Sequence, residues 1–349
     1  MAYTEHSIEK SEKIVESIVG LVEPELTVTK LINHQGFDAF KGAKGDTLTQ
    51  RVPGRLPARE YAWRNDRTNG IVYDLYKEGK VDISLAGHLY SATQLTDEQY
   101  EFDLGSSWMK LADAQARGVA QGMNTRAAAV IENAPYEVTI GGVEPAIRSA
   151  LVEARKVLNK LRTPNEQRIL LVGSDFEAAI LNDDGLTLTS NVAQARAESA
   201  LADATIGRLQ GFTVVSTLDI DPGSAYAFIP SAFVQLTAAP YVPDSVPFGA
   251  SKSYGGFALR WMRDYDTEHF TDRSVVDAYV GQREVKDIII PREVEAGDAP
   301  FDPNTLEEHF VRGIKLTLDG VSDYPDANSD LADSTGVSDA NAWVAPSYS

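Results

Sequence analysis

Between Gly36 and Leu95 the chain is punctuated by glycines, among them 36, 42, 45, 54, 70 and 79, and by prolines at 53 and 57. A glycine costs about 1 kcal/mol in a helix interior and a proline about 3 kcal/mol, so no long helix fits this stretch. Short runs with strand character remain, Ile71-Val72-Tyr73 and the alternating Val81-Asp82-Ile83-Ser84-Leu85. Asn69-Gly70 and Glu78-Gly79 supply turn signals beside them. The simplest structure is a long two-stranded excursion, which compact domains seldom carry without a use for it. Charge sets the stretch apart as well. Lys41 to Leu95 holds nine Lys/Arg against six Asp/Glu, a balance of +3, whereas the whole chain carries −19 and the remainder therefore −22. Such asymmetry fits a solvated loop or a basic arm that lies on an acidic neighbour.

Around this excursion the periodicity changes. Residues 4–19 read as a short amphipathic helix through Ile8, Ile14, Val15 and Ile18, with an extended stretch from Leu26 to Ile32. Ser106–Glu132 is the clearest helix, with a stripe of Trp108, Leu111, Ala112, Val119, Met123, Ala127, Val130 and Ile131. Gly118 and Gly122 lower its propensity and point to close packing on a neighbouring element. A second helix spans Glu144 to Leu161, with Pro145 in its first turn and an apolar face of Ile147, Leu151, Ala154, Leu158 and Leu161. Ile169–Val172 is a buried strand, and Ser174-Asp175-Phe176-Glu177 has capping-box spacing at the start of a third helix. Strands are expected at Phe212–Val215, Ala225–Ile229 and Phe257–Met262. Helices and strands interleave without a regular βαβ rhythm, so the fold class is α+β. Beyond Lys315 there are six Asp and no Lys or Arg, and Ser322–Ser349 reads as an acidic, flexible tail.

The search for chemistry is negative. The chain contains no cysteine, hence no disulfide, thiolate nucleophile or Cys-ligated metal. Its longest apolar runs are about five residues, as at Ala127–Ile131, against roughly 18 for a membrane span. The first residues lack the pattern of a signal peptide. An acidic chain is a poor match for phosphate recognition. The five histidines (6, 34, 88, 269 and 309) are dispersed. His269 stands in the acidic run Arg263–His269, which reads as a solvated loop before it reads as a hard-metal site. Val172-Gly173-Ser174-Asp175 follows a strand and opens a helix but lacks the further glycines and lysine of a phosphate loop. No catalytic, cofactor-binding or metal residue is assigned. A chain this long without a site points to a protein whose function is its surface.

The order of parts, with Glu101-Phe102-Asp103-Leu104 entering the long helix, Ala204–Val215, Gly255–Arg260, Asp264-Tyr265-Asp266 and Asp277–Gly281, resembles the major capsid proteins of tailed phages. That resemblance implies the HK97-like fold. Its parts would be an N-terminal arm at 1–35, an extended β-hairpin loop at 36–95 and a peripheral domain with its spine helix at 96–143. A mainly apical α+β domain would follow at 144–250, then a return to the peripheral domain at 251–321 and the acidic tail at 322–349. The function implied is a non-enzymatic subunit of an icosahedral shell, self-assembling into pentamers and hexamers around double-stranded DNA without sequence-specific binding. Its partners would be copies of itself, a portal protein and a separate scaffolding protein, since a loop beginning near residue 36 leaves no room for a built-in scaffold. It would be assembled in the host cytoplasm and reside in the virion, with no membrane partner and no cofactor. Arg51, Arg55, Arg59, Arg64 and Arg67 are the expected inter-subunit contacts. An encapsulin-type nanocompartment shell shares the fold and stands as the alternative, with an unrecognised α+β enzyme, metal-dependent around His269, behind it.

Overall fold

A computed structural model of the chain describes residues 26–35, 47–54, 56–61, 63, 70–85, 87–99, 108–182, 207–246, 248–254, 257–290, 300–304 and 306–346. The helix expected at 4–19 lies outside the described residues. In chain order the strands β1 (Asn33–Gln35), β2 (Thr47–Val52), β3 (Gly79–Ser84) and β4 (Gly87–Thr96) precede the long helix α1 (Trp108–Glu132). There follow β5 (Thr139–Ile140), α2 (Ile147–Lys160), β6 (Ile169–Val172) and α3 (Ser174–Asn182). Then come β7 (Arg208–Leu209), β8 (Phe212–Ser216), β9 (Ser224–Phe228), β10 (Phe233–Ala238), β11 (Phe248–Tyr254), β12 (Phe257–Asp266) and β13 (Thr271–Glu284). Short β14 (Asp287–Ile288) and β15 (Glu308–His309), then β16 (Gly313–Thr317) and α4 (Asp330–Thr335), complete the chain. It divides into two compact units. One takes the described residues up to Leu48 with Asp82–Ala128 and Val234–Arg283, the other Thr49–Val81, Ala129–Phe233 and Glu284 onward.

The first unit is built on a six-stranded sheet of order β1-β10-β13-β12-β11, with β4 also on β13. β4 runs antiparallel to β13 from Gly87 opposite Val280 to Thr96 opposite Thr271. Ala112, Ala116, Val119, Ala120 and Met123 of α1 recur every three or four residues and share one core with Phe257, Leu259 and Trp261 of β12 and Val276, Ala278 and Val280 of β13. Gln115, buried among them, uses its whole amide: Nε2 donates to the Ser274 carbonyl at 2.9 Å, and Oε1 accepts from Ser274 Oγ at 2.7 Å. The segment before β1 is held to α1 by Thr29, whose N–H and Oγ1 donate to Asn124 Oδ1 at 3.3 and 2.5 Å. Arg260 and Asp277 stand directly opposite on β12 and β13, and the guanidinium forks the carboxylate at 2.9 and 2.5 Å. A buried charge survives only with such a partner.

A Cβ built on Gly122 would stand 3.5 Å from the Leu89 side chain, ordinary contact that does not demand glycine, and a Cβ at Gly118 would meet nothing within 4 Å. Gly118→Ala should therefore stabilise the isolated subunit by about 0.5–1 kcal/mol, as removing a helix glycine does where there is room. Chemical denaturation of the variant beside wild type checks this.

The second unit carries a six-stranded mixed sheet of order β5-β16-β9-β6-β8-β7. β6 and β9 are buried at every position, as central strands covered on both faces are. On one face, Ile147, Ala150, Leu151, Ala154, Val157 and Leu158 of α2 join Phe176 and Ile180 of α3 in a single core with Leu170, Val172, Ala225 and Ala227. Each such side chain contributes about 1.5–3 kcal/mol on full burial. The other aromatic cluster stacks Tyr136 on Tyr226 at 5.5 Å and sets Phe310 and Phe233 edge-on or tilted beside them. The β7–β8 hairpin turns through Gln210 and Gly211, both with positive φ, which glycine adopts without penalty.

His309 Nδ1 lies 3.0 Å from Glu137 Oε1 in this unit. The histidine raises nothing but its own affinity for a proton: hydrogen bonding to Glu137 lifts it above 6.5, and the same bond holds the carboxyl below 4.5. The His309 contribution is complete below 6.5 and fades as pH rises through its lifted value. The Glu137 contribution is complete above 4.5 and fades as pH falls through its depressed value. Glu137→Gln should thus lose about 0.5–1 kcal/mol, most fully between these two limits, and converge on wild type at either extreme. Melting temperature against pH for the two proteins is the measurement.

Several expectations change. α2 begins at Ile147, so Pro145 precedes its helix, while Ser106, the expected start of the long helix, lies outside the described residues. Ser174 and Glu177 do not form a capping box. The first turn of α3 is closed by the Pro222 carbonyl, which accepts from the N–H groups of Asp175 and Phe176 at 3.1 Å each, and Glu177 accepts from Ser216 Oγ at 2.6 Å. Residues 87–95, placed in the extended loop, form β4 within the main sheet, because their alternating pattern gives one face to bury. Residues 234–250 belong to the first unit and 284–321 to the second, where β16 pairs β9 and β5. The acidic tail is not loose over residues 322–346. Tyr324, Leu331 and Val337 enter the core of the second unit, and Ser322 Oγ donates to the Trp343 carbonyl at 2.9 Å. Its aspartates stay outside while its apolar residues anchor it.

Candidate interface on the extended excursion

β2 and β3 form a two-stranded ladder of their own. Beyond it the described residues 53–54, 56–61 and 63 on one limb and 70–78 on the other join no described strand. Ile71–Tyr73, expected as strand, pairs with no described strand. The limbs approach closely at their base, where a Cβ on Gly54 would stand 2.2 Å from the Lys77 carbonyl oxygen. Farther out they are tied by charge. Arg59 donates from Nε and Nη2 to the two oxygens of Asp74 at 3.1 and 2.7 Å. Asp74 Oδ1 also accepts from the Phe301 N–H at 2.9 Å, and the Leu75 N–H donates to the Phe301 carbonyl at 3.0 Å. Hydrogen bonds from Arg59, then from the Phe301 backbone, hold the Asp74 carboxyl below the usual range.

The five arginines expected at an interface are therefore not equivalent. Arg59 is spent on its own chain. Arg51 reaches only 3.6 Å from Glu78 and leaves its side chain 76% exposed, so that pair adds little. Arg55, Arg64 and Arg67 lie outside the described residues.

What arginine counting missed is the apolar content of the same limbs. Ile71, Tyr73 and Leu75 alternate outward along the returning limb at 62%, 80% and 54% exposure, while Asp74 turns inward to Arg59. Tyr76, Leu56, Tyr61 and Trp63 are exposed as well, Trp63 at 90%. Single exposed apolar residues mean little, but a run concentrated on one excursion makes it the candidate interaction surface. The signal was present in Tyr61-Ala62-Trp63 and Ile71–Tyr76, large β-formers inside a glycine-punctuated stretch.

Among the described residues the other candidate chemical sites are weak. The cavity of about 210 Å³ at the base of the excursion is lined by aliphatic groups with Lys77, Arg162, Lys286, Asp287 and Glu308. Asp287 is already forked by Arg312 at 2.5 and 2.6 Å. His269 lies in the β12–β13 turn of the first unit, 3.1 Å from Asp266. Among the described residues no three His, Asp or Glu could together hold a metal ion, and no helix is long and apolar enough to cross a membrane.

A family model described as phage capsid protein matches residues 90–281, more than half of the chain. No curated protein matches the sequence. Among solved structures, one from Mycobacterium phage Che8 aligns with a TM-score of 0.57 at 15% identity, over 90% of this chain and 94% of that one. The capsid of an empty GTA particle aligns at 0.51 and 12% identity, over 92% and 94%. The mature capsid of bacteriophage PhiM1 aligns at 0.51 and 10% identity, over 91% and 89%.

Proposed function

The chain belongs to the phage capsid protein family, and from that premise we propose that it builds an icosahedral phage shell, assembling through pentamers and hexamers around double-stranded DNA. Its fold is HK97-like and its role is that of a structural subunit, not an enzyme. The observation that carries the finer reading is the excursion with its outward apolar face. Trp63 and Tyr73 leave most of their surface in water, a loss that a neighbouring copy would remove. Arg51, Arg55, Arg64 and Arg67 then steer the arm onto an acidic neighbour, while Arg59 keeps it in shape for docking. Exposed charge pairs of this kind contribute roughly 0–1 kcal/mol each and weaken with salt. An acidic wall also repels the packaged genome, which suits enclosure without sequence-specific grip. A portal protein and a separate scaffolding protein complete the proposed set of partners, with assembly in the host cytoplasm.

Electron microscopy of purified protein, beside size-exclusion chromatography with light scattering, tests the reading. Closed shells or rings of five and six subunits are expected. A monomer persisting at every salt and protein concentration, and with a scaffold supplied, would defeat it.

A further inference from the structure

The second unit holds a charge separation that the excursion does not explain. α2 carries Arg148, Arg155, Lys156 and Lys160 against the single acid Glu153, in a strongly acidic chain. Its helical spacing sorts these residues into two flanks. Arg148, Val152, Arg155 and Asn159 follow one another at intervals of three or four and are exposed together. This flank looks toward the β7 edge of the sheet, since Arg155 Nη1 donates to the Gln210 carbonyl of the β7–β8 turn at 3.4 Å. Arg208 on β7 adds a third exposed guanidinium there. Among the described residues none of the three meets a carboxylate.

The opposite edge is acidic. β5 ends the sheet, and Asp323 pairs on its outer side, exchanging N–H···O bonds with Thr139 at 2.8 Å in both directions. The segment continuing from there carries Asp319, Asp323 and Asp326, all exposed, with no Lys or Arg after Lys315. Each edge also offers apolar surface, Val152 at 52% on the basic side and Val321 at 88% on the acidic side. Six strands at about 4.8 Å spacing put the two edges roughly 24 Å apart. They cannot satisfy each other within one subunit.

We propose that the β7 edge of one copy docks head to tail on the β5 edge of the next, with Arg148, Arg155 and Arg208 facing Asp319, Asp323 and Asp326 around a Val152–Val321 contact. Two different patches on one chain make a heterologous interface, whose repetition gives a ring when the rotation closes, as the proposed pentamers and hexamers require. The occupant is a second copy because the chain itself supplies both complementary patches. The inference rests on the capsid reading and adds which surfaces form the ring.

The test uses the full chain. Reversing the basic edge (Arg148→Glu, Arg155→Glu, Arg208→Glu) or the acidic edge (Asp319→Lys, Asp323→Lys, Asp326→Lys) should cut assembled particles about tenfold or more while circular dichroism stays that of wild type. Carrying both sets in one chain restores complementarity and should restore particles. Because the chain has no cysteine, Val152→Cys with Val321→Cys gives an independent readout. A bis-maleimide shorter than the edge separation should yield a ladder of covalent oligomers from the double variant and none beyond a dimer from either single one. Wild-type levels of particles from each reversed edge, or a double-cysteine variant that gives no ladder, would overturn the inference and leave the capsid reading intact. If wild type forms no particle under any condition, that reading fails. The cysteine ladder then still decides the edge contact on free subunits at high concentration.

Discussion

Val119→Asp is expected to abolish soluble folding. Val119 is 3% exposed on α1 and shares its core with Met123, Trp261 and Val276. A carboxylate there would sit among apolar side chains, and Gln115, the buried polar residue one turn earlier on the helix, already spends its amide on Ser274. Aspartate would either bury a charge or take up a proton at considerable cost, on the order of 4 kcal/mol or more in either case. That is a large share of the roughly 5–15 kcal/mol that holds a domain together. Val119→Ala separates charge from volume: it leaves a small cavity, should cost about 1–3 kcal/mol and should still fold. Expression yield and thermal melting of the two variants, with Gly118→Ala as the neighbouring control, make the measurement. A Val119→Asp protein that melts with wild type would show that α1 turns another face to the sheet.

The same stripe explains why α1 was legible and other parts were not. Its apolar residues recur over many turns, so the 3.6-residue period dominates any single exception. β6 was legible for a related reason, because Ile-Leu-Leu-Val between polar flanks has no exposed position to offer. Local pattern gave no such help where the partner is distant in sequence. Arg260 and Asp277 face each other only because β12 and β13 pair in one register. Ser174 and Glu177 have the spacing of a cap, yet Ser216 and Pro222, neighbours only through the fold, take over both functions. The C-terminal segment misleads by composition. Five aspartates and no Lys or Arg suggest a solvated tail over Ser322–Ser349, while Leu331 and Val337, a few residues apart, decide its position by burial. The proposed interface draws on the sequence only in part. Net charge drew attention to Arg51–Arg67, but fold pairing consumed Arg59, and the exposed aromatics became visible only once residues 70–78 were seen to lack a strand partner.

Those aromatics lead to the larger assembly effect. Trp63→Ala with Tyr73→Ala is expected to leave the subunit folded and to eliminate shells. Neither side chain supports its own unit, being 90% and 80% exposed, so truncation opens no cavity there. Buried at an interface, a tryptophan or tyrosine anchor is worth about 2 kcal/mol or more. Two anchors lost from every contact then weaken each step by roughly 4 kcal/mol, close to a thousandfold, and the loss compounds because contacts in one lattice reinforce each other. Salt separates this from the charge contribution. Arg51→Glu should reduce shells mainly at low ionic strength, where its exposed guanidinium acts over the longest range. The aromatic pair should matter equally at low and high salt, since apolar burial is not screened. Circular dichroism reports the fold, and particle counts by electron microscopy at two salt concentrations report assembly. Shells from the aromatic double variant at wild-type abundance would remove the excursion from the assembly contact. Loss that disappears at high salt would instead assign the contact to its arginines.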